Sequence, residues 1–169
     1  MAETVTFQSI CRDLRAGRPA PLYLIHGEEG FYIDALVKEF EALVPEADRD
    51  FDLTTLYAPE IDSARTVENA CRRYPMLGPR QVVILKEVQA VSADFLKPLA
   101  AYAANPTATT VLCVCFRGAK AKGAEFLKGV KAGGGVVFEA QKVKEAQVPT
   151  IVSAFIKERG LSVDPKALL

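Results

Sequence analysis

Residue types that build metal centres and disulfide frameworks are scarce in this chain of 169 residues. It has one histidine, His26, and four cysteines, none of which forms a C-x-x-C pair. Zinc sites and disulfide scaffolds depend on clusters of such residues, so we expect no metal site and no disulfide framework. Cys113 and Cys115 alternate within the apolar run TTVLCVCF, and we expect them to be small buried side chains on one face of a strand.

An excess of positive charge is absent as well. Lys and Arg together number 21, as do Asp and Glu, so the formal net charge is zero. A protein that binds the phosphate backbone strongly needs surplus cations, which displace counterions from the nucleic acid. Strong DNA binding by this chain alone is therefore not expected.

Long apolar runs are also missing, although 50% of the residues are hydrophobic. No run approaches the roughly 18 to 20 residues of a membrane helix, and the N-terminal MAETVTFQSICRDLRAG lacks the basic start and apolar segment of a signal peptide. A chain of this size and composition can bury one ordinary core with a small appendage. We expect a soluble protein that avoids membranes and works in the cytoplasm.

Short apolar runs alternate with segments of helix length. This alternation predicts an α/β fold, and the run QVVILK is apolar along its whole length, as in strands covered on both faces. We therefore expect a five-stranded parallel sheet with helices on both faces. The predicted strands are 21–26, 51–57, 81–86, 109–116 and 136–140. A predicted helix 4–16 precedes the first strand, and the predicted helices between the strands are 31–43, 62–73, 92–103 and 121–131.

The character of the sequence changes after residue 140. Apolar residues recur at helical spacing in 148–155, Gly160 closes that helix, and no further strand pattern follows. VDPKALL then opens another helix, with Asp164 as its cap and Pro165 at its first position. We expect residues 1–143 to form the α/β domain and residues 144–169 to begin a small helical domain that continues beyond this chain.

The segment LIHGEEGFYIDAL has the strand, glycine and helix layout of a phosphate-binding loop. Such a loop needs G-x-x-x-x-G-K-[ST], in which the lysine reaches the phosphates and the hydroxyl holds Mg²⁺. Counting from Gly27, the last three places hold Tyr32, Ile33 and Asp34. The two glutamates after Gly27 would also repel a triphosphate.

The acid that helps to hold Mg²⁺ after an apolar strand is missing too. In VVILKE its place is taken by Lys86, and Glu87 alone cannot hold the metal. The pattern therefore predicts the frame of an NTPase without its chemistry, with no catalytic residue, no nucleotide cofactor and no metal. Two alternatives stay open, namely an active nucleotide-binding enzyme and a small-molecule binder that uses the loop at Gly27.

The connection YPML in RRYPMLGPRQVVILKE is unusually apolar. We call residues 74–77 the apolar loop. Surface connections are normally polar, so these side chains either pack into the core or bind a partner. Pro75 and Pro79 restrict the backbone and lower the entropy cost of ordering it. Arg72 and Arg73 are interpreted as a solvated helix end that interacts with the helix dipole, with steering of an acidic partner as the alternative.

Three segments in this order resemble one known family: PLYLIHGEEGFYIDAL, RYPMLGPRQVVILKEVQ and VKEAQVPTIVSAFIKERGLSVDPKAL. From about residue 4 to the last residue, the chain is similar to the N-terminal half of the delta subunit of bacterial DNA polymerase III. The resemblance implies a degenerate AAA+ module with a P-loop NTPase-like sheet that does not hydrolyse ATP. The start of a small helical lid domain would follow it, and then a collar domain.

The resemblance also implies partners. Members of this family work in a pentameric clamp loader beside ATPase subunits and a delta prime subunit, within a DNA-directed DNA polymerase holoenzyme. They bind the beta sliding clamp and help to open the ring for loading onto primed DNA during replication. By this resemblance, primed DNA would be met only within the assembled loader.

The clamp-binding element of the family is a short apolar stretch before a strand that begins with an Arg-Gln-like pair. In this chain Tyr74, Met76 and Leu77 precede Arg80 and Gln81. Met76 and Leu77 stand where a leucine and a bulky aromatic or aliphatic residue are often found. The resemblance therefore favours a partner, the clamp, over the chain's own core for the apolar loop.

Overall fold

In the part of the chain that the structure describes, the fold is built on five strands that are all parallel to their neighbours. The computed structural model describes residues 4–118, 120, 123–162, 164 and 166. The strands follow the order β2-β3-β4-β1-β5 across the sheet, and the prediction of a five-stranded parallel sheet is confirmed. They are β1 (Leu22–Gly27), β2 (Leu53–Tyr57), β3 (Gln81–Lys86), β4 (Thr110–Arg117) and β5 (Val136–Ala140).

Helices cover both faces of this sheet, as predicted. Helices α1 and α2 pack on one face, and α4, α5 and α6 pack on the other. The helices are α1 (Phe7–Arg15), α2 (Gly30–Glu41), α3 (Arg49–Asp52), α4 (Arg65–Cys71), α5 (Ala100–Ala104), α6 (Ala124–Ala132) and α7 (Val148–Glu158). None of the described helices is long and apolar enough to cross a membrane.

Alternation along the central strands divides the core into two hydrophobic clusters. In β4, Leu112 and Val114 belong to the cluster under α4 to α6, whereas Cys113 and Cys115 belong to the cluster under α1 and α2. Successive side chains of a strand point to opposite faces, so a strand covered on both sides is apolar throughout. Both cysteines are free and buried, as predicted, and burial raises the pKa of Cys113.

The predicted strand 51–57 is too long at its start. Phe51 and Asp52 end the short helix α3, and the strand begins only at Leu53. The side chain of Asp52 is buried and hydrogen-bonded to a neighbouring loop, which explains why a charged residue lies inside this otherwise uncharged run.

Other helices differ from their predicted bounds for local reasons. The predicted helix 92–103 is mostly a 3-10 helix, Ala93–Leu99, which contains Pro98 and leads into α5; proline lacks the N–H that an α-helix interior requires. Helix α1 starts at Phe7 because the Thr6 hydroxyl accepts a hydrogen bond from the Ser9 N–H at 3.0 Å. Helix α4 is shorter than the predicted 62–73.

Helix α7 forms where the sequence predicts it and contacts the first two helices. The Phe155 ring lies 5.4 Å from that of Phe31, and Glu158 pairs with Arg15 at 3.7 Å. The predicted helix in VDPKALL falls mainly outside the described residues, but the Lys166 N–H donates to Asp164 Oδ1 at 2.9 Å. The division at residues 143 and 144 stays a prediction.

Gly27 lies at the carboxyl end of β1, where the backbone of the neighbouring strand β5 packs closely against it. Its φ is +135°, and an added Cβ would lie 2.2 Å from the carbonyl oxygen of Ala140. Gly118 has a similar φ of +141° but nothing within 4 Å of an added Cβ. We predict that Gly27→Ala lowers the free energy of unfolding by about 1 to 3 kcal/mol more than Gly118→Ala. Urea titrations measure both, and equal losses would contradict this packing argument.

Candidate protein-binding site

Three large apolar side chains of the apolar loop face solvent. Tyr74 is 80% exposed, Met76 is 70% exposed and Leu77 is 58% exposed. The alternative in which Met76 and Leu77 pack into the core of this chain is therefore wrong. Single exposed apolar residues are common, but several exposed apolar side chains on one short loop are typical of a surface that binds a partner.

The backbone of this loop is hydrogen-bonded on its core side to Asp52, which is only 1% exposed. Its Oδ1 accepts a hydrogen bond from the Met76 N–H at 2.6 Å. Its Oδ2 accepts from the N–H groups of Leu77 at 3.0 Å and Gly78 at 2.7 Å. Consecutive amides thus point inward to one carboxylate, while the side chains of Met76 and Leu77 lie on the solvent side.

These hydrogen bonds also fix the charge of Asp52. The N–H of Met76, and then those of Gly78 and Leu77, lower the pKa of the carboxyl group, while burial works in the opposite direction. Hydrogen bonds to the charged form favour ionisation, and charge-assisted bonds are stronger than neutral ones. Asp52 is therefore an ionised buried carboxylate at neutral pH, with its charge compensated by backbone donors.

The start of the loop is fixed by Gln81, which is buried at the beginning of β3. Its Nε2 lies 3.0 Å from the Ala70 carbonyl oxygen and 2.5 Å from that of Arg73. The Thr110 hydroxyl donates to the Cys71 carbonyl oxygen at 2.7 Å. The last carbonyls of a helix lack partners within the helix. Gln81 and Thr110 supply them, which joins the end of α4 to the sheet.

The two arginines before the loop are on the surface, as the helix-end interpretation predicts. Arg72 forms an ion pair with Glu68 at 2.8 Å, and its guanidinium lies 5.4 Å from the centre of the Tyr102 ring. These contacts tie Arg72 to its own helix and its neighbour. Steering of an acidic partner by the pair stays an alternative.

Of the residues that bind the loop backbone directly, Asp52 is the one that the sequence pattern does not mark. The exposed residues and Gln81 stand in the motif RRYPMLGPRQ, but Asp52 lies 24 positions before Met76. One signal was available, namely an acidic residue in the otherwise uncharged FDLTTLY, where a buried charge needs a partner. The sequence does not say which distant amides provide it.

The glycine loop after β1 is closed by the chain's own groups. The Glu29 N–H donates to the Ala140 carbonyl oxygen at 3.1 Å, and the Glu29 carboxylate accepts from the Phe31 N–H at 3.4 Å. A phosphate bound by such a loop would use the amides at the start of the following helix. Here a carboxylate occupies that position at the start of α2.

The place of the magnesium acid is also filled. Lys86 Nζ lies 5.9 Å from the centre of the Tyr57 ring, and the Glu87 carboxylate accepts a hydrogen bond from the Gln89 amide. The cavity beside them, which Asp34 and Arg117 also line, has a volume of about 40 Å³. Ligand pockets usually measure roughly 300 to 1,000 Å³. No cluster of three or more metal-ligating side chains occurs among the described residues.

Together, the parallel sheet and the altered glycine loop define an AAA+-like module that lacks the residues of a P-loop. The sequence matches the family model of the DNA polymerase III delta subunit over residues 23–141. Because this match spans more than half of the chain, the chain belongs to the DNA polymerase III delta subunit family. The resemblance seen in the sequence is confirmed.

Solved structures share the fold. The Bacillus subtilis DNA clamp loader delta protein matches with a TM-score of 0.77 and 17% identity, over 96% of this chain and 50% of that one. A Thermotoga maritima DNA polymerase III gamma subunit-related protein matches with a TM-score of 0.55 and 16% identity, over 89% and 50% of the two chains. A RuvB variant from Thermotoga maritima also has a TM-score of 0.55, with 9% identity over 96% and 52%.

The chain spans about half the length of these solved structures. At identities this low, the likeness shows the fold alone, and it confirms the predicted AAA+-like architecture. No curated protein matches the sequence.

The altered glycine loop leads to a prediction about nucleotides. With Ile33 and Asp34 in the places of the lysine and the hydroxyl residue, and Lys86 in place of the magnesium acid, phosphates lack their usual ligands. Calorimetric titration of the protein with Mg-ATP should show no heat of binding, and no hydrolysis should be measurable. Saturable binding at micromolar concentrations would contradict this interpretation.

Asp52 leads to a prediction about acid stability. Because its pKa is lower in the folded state, its ionised form stabilises the fold above the unfolded pKa near pH 4, and this is lost as the pH falls through the folded pKa. Asp52→Asn should lower the free energy of unfolding by about 1 to 3 kcal/mol at pH 7, and the difference from the wild type should shrink below about pH 4.

Urea unfolding at a series of pH values measures this difference. Asp50→Asn, two residues away and exposed, is the matched control, and it should change stability little at any pH. A difference between wild type and Asp52→Asn that is as large at pH 3 as at pH 7 would contradict the role given to the Asp52 charge.

Proposed function

We propose that this chain carries the clamp-binding element of a clamp-loader delta subunit. The apolar loop inserts Tyr74, Met76 and Leu77 into a pocket on the beta sliding clamp, and the module helps to open the ring for loading onto primed DNA during replication. One observation carries the proposal. The side chains of the loop are exposed, whereas its backbone is bonded to a buried carboxylate.

The energetics favour this use of the loop. Burying an apolar side chain of this size contributes roughly 1.5 to 3 kcal/mol before the costs of association are subtracted. Those costs include the ordering of mobile segments, and here the backbone of Met76 and Leu77 is already ordered by hydrogen bonds. A short loop can therefore be an effective anchor for a partner.

The other partners follow from the same proposal. The chain lacks the residues for ATP hydrolysis, so the energy for loading comes from ATPase subunits beside it, with a delta prime subunit in the same assembly. Its net charge of zero supports contact with primed DNA only within the assembled loader. The site of action is the cytoplasm, where the replicating chromosome of a bacterium lies.

Truncation of the loop side chains tests this function. Leu77→Ala and Met76→Ala should each weaken clamp binding by on the order of 1 to 3 kcal/mol. Both side chains are exposed, so the melting temperature should change little. Binding is measured by calorimetry or surface plasmon resonance, and melting by circular dichroism.

Leu161→Ala is the matched control, because Leu161 is 64% exposed and lies outside the loop. It should leave clamp affinity unchanged. The proposal fails if loop variants that remain folded bind the clamp as tightly as the wild type does.

A further inference from the structure

We infer that Asp52 is a positioning residue for clamp binding, because it holds the apolar loop in its binding conformation before the clamp arrives. The inference rests on the proposed function. It adds a residue that contributes to affinity without touching the partner, and it lies far from the loop in sequence, at the end of α3.

Because Asp52 is buried, its side chain is not accessible for direct contact with the clamp. Its side chain is 1% exposed, whereas those of Met76 and Leu77 are 70% and 58% exposed. A pocket that covers the loop from outside meets the apolar side chains and leaves the carboxylate beneath the backbone. Any effect of Asp52 on affinity must therefore be transmitted through the loop itself.

The transmission runs through the backbone amides. In the described part of the chain, Asp52 is the acceptor for the N–H groups of Met76, Leu77 and Gly78. These bonds fix consecutive peptide planes and hence the directions in which the Met76 and Leu77 side chains leave the chain. At the other end, Gln81 holds the Arg73 carbonyl, so the loop is fixed on both sides.

Without the carboxylate, the loop would have to be ordered at the moment of binding. Fixing a flexible backbone costs conformational entropy at each residue, and a preorganised ligand avoids that cost. Asparagine is the most informative replacement, since it keeps the size of Asp52 but removes the charge and turns one acceptor oxygen into a donor. Such a donor cannot accept from the amides that face it.

The experiment compares Asp52→Asn, Asp50→Asn and Leu77→Ala in the intact protein, using the purified sliding clamp as the probe. Clamp affinity is measured at a temperature at which each variant is fully folded. Hydrogen exchange of the Met76, Leu77 and Gly78 amides is measured in the free protein. This second measurement reports the constraint on the loop directly. A loss of overall stability alone would not speed exchange selectively at these three amides.

We expect Asp52→Asn to weaken clamp binding by at least about tenfold and to speed exchange at these amides by a larger factor than in β3 and β4, where exchange rises only with the loss of overall stability. Asp50→Asn should match the wild type in both measurements. If Asp52→Asn does not fold, Asp52→Glu serves instead, because its longer side chain keeps the charge but displaces the carboxylate from the amides. It should show the same changes to a smaller degree.

The outcomes separate this inference from the proposed function. If Leu77→Ala weakens binding but Asp52→Asn does not, the inference is overturned and the proposed function stands. If neither variant weakens binding, the proposed function fails and the inference fails with it. If Asp52→Asn weakens binding without faster exchange at the loop amides, Asp52 does not act by positioning the loop, and the inference is overturned.

Discussion

The apolar loop depends on one buried charge. The Asp52 carboxylate binds three backbone amides of residues 76–78, and these bonds resolve a conflict that the loop would otherwise face. A loop with large apolar side chains tends to collapse onto the core, where its backbone amides would lack partners. Because Asp52 accepts hydrogen bonds from these amides on the core side of the loop, the apolar side chains can remain exposed to solvent. An interaction that stabilises the fold thus also shapes the proposed binding surface.

The AAA+-like sheet supports the apolar loop, and the absence of nucleotide binding to it stays a prediction. Parallel strands buried on both faces fix the start of β3, and Gln81 and Thr110 join it to the end of α4. The glycine loop, which would bind phosphates in an active relative of the fold, is closed by Glu29 and the Ala140 backbone. The AAA+-like fold is present, but the groups that carry ATP chemistry are absent from their usual positions.

The sequence predicted the parallel sheet and the helices on both faces, because periodicity and order along the chain encode them locally. The same pattern left open whether the apolar loop packs into the core or faces solvent, and only the family resemblance favoured a partner. The sequence could not predict the role of Asp52, since a hydrogen bond between α3 and a loop 24 residues later leaves no periodic pattern. It also placed a strand over Phe51 and Asp52, where tertiary hydrogen bonds favour a helical turn instead. Pro98 is a local signal against a regular α-helix in this segment, which forms a 3-10 helix. The helical spacing of the apolar residues around it nevertheless favoured the prediction of an α-helix.

The central claim is that the Met76 side chain enters a pocket of the clamp, and the methionine content of the chain makes this directly measurable. The sequence has two methionines, Met1 and Met76, so a protein labelled with ¹³C at methionine methyl groups gives a simple NMR spectrum. Addition of the sliding clamp should shift or broaden the Met76 signal saturably and leave the Met1 signal in place. A Met76 signal that does not change when the clamp is fully bound would contradict the account.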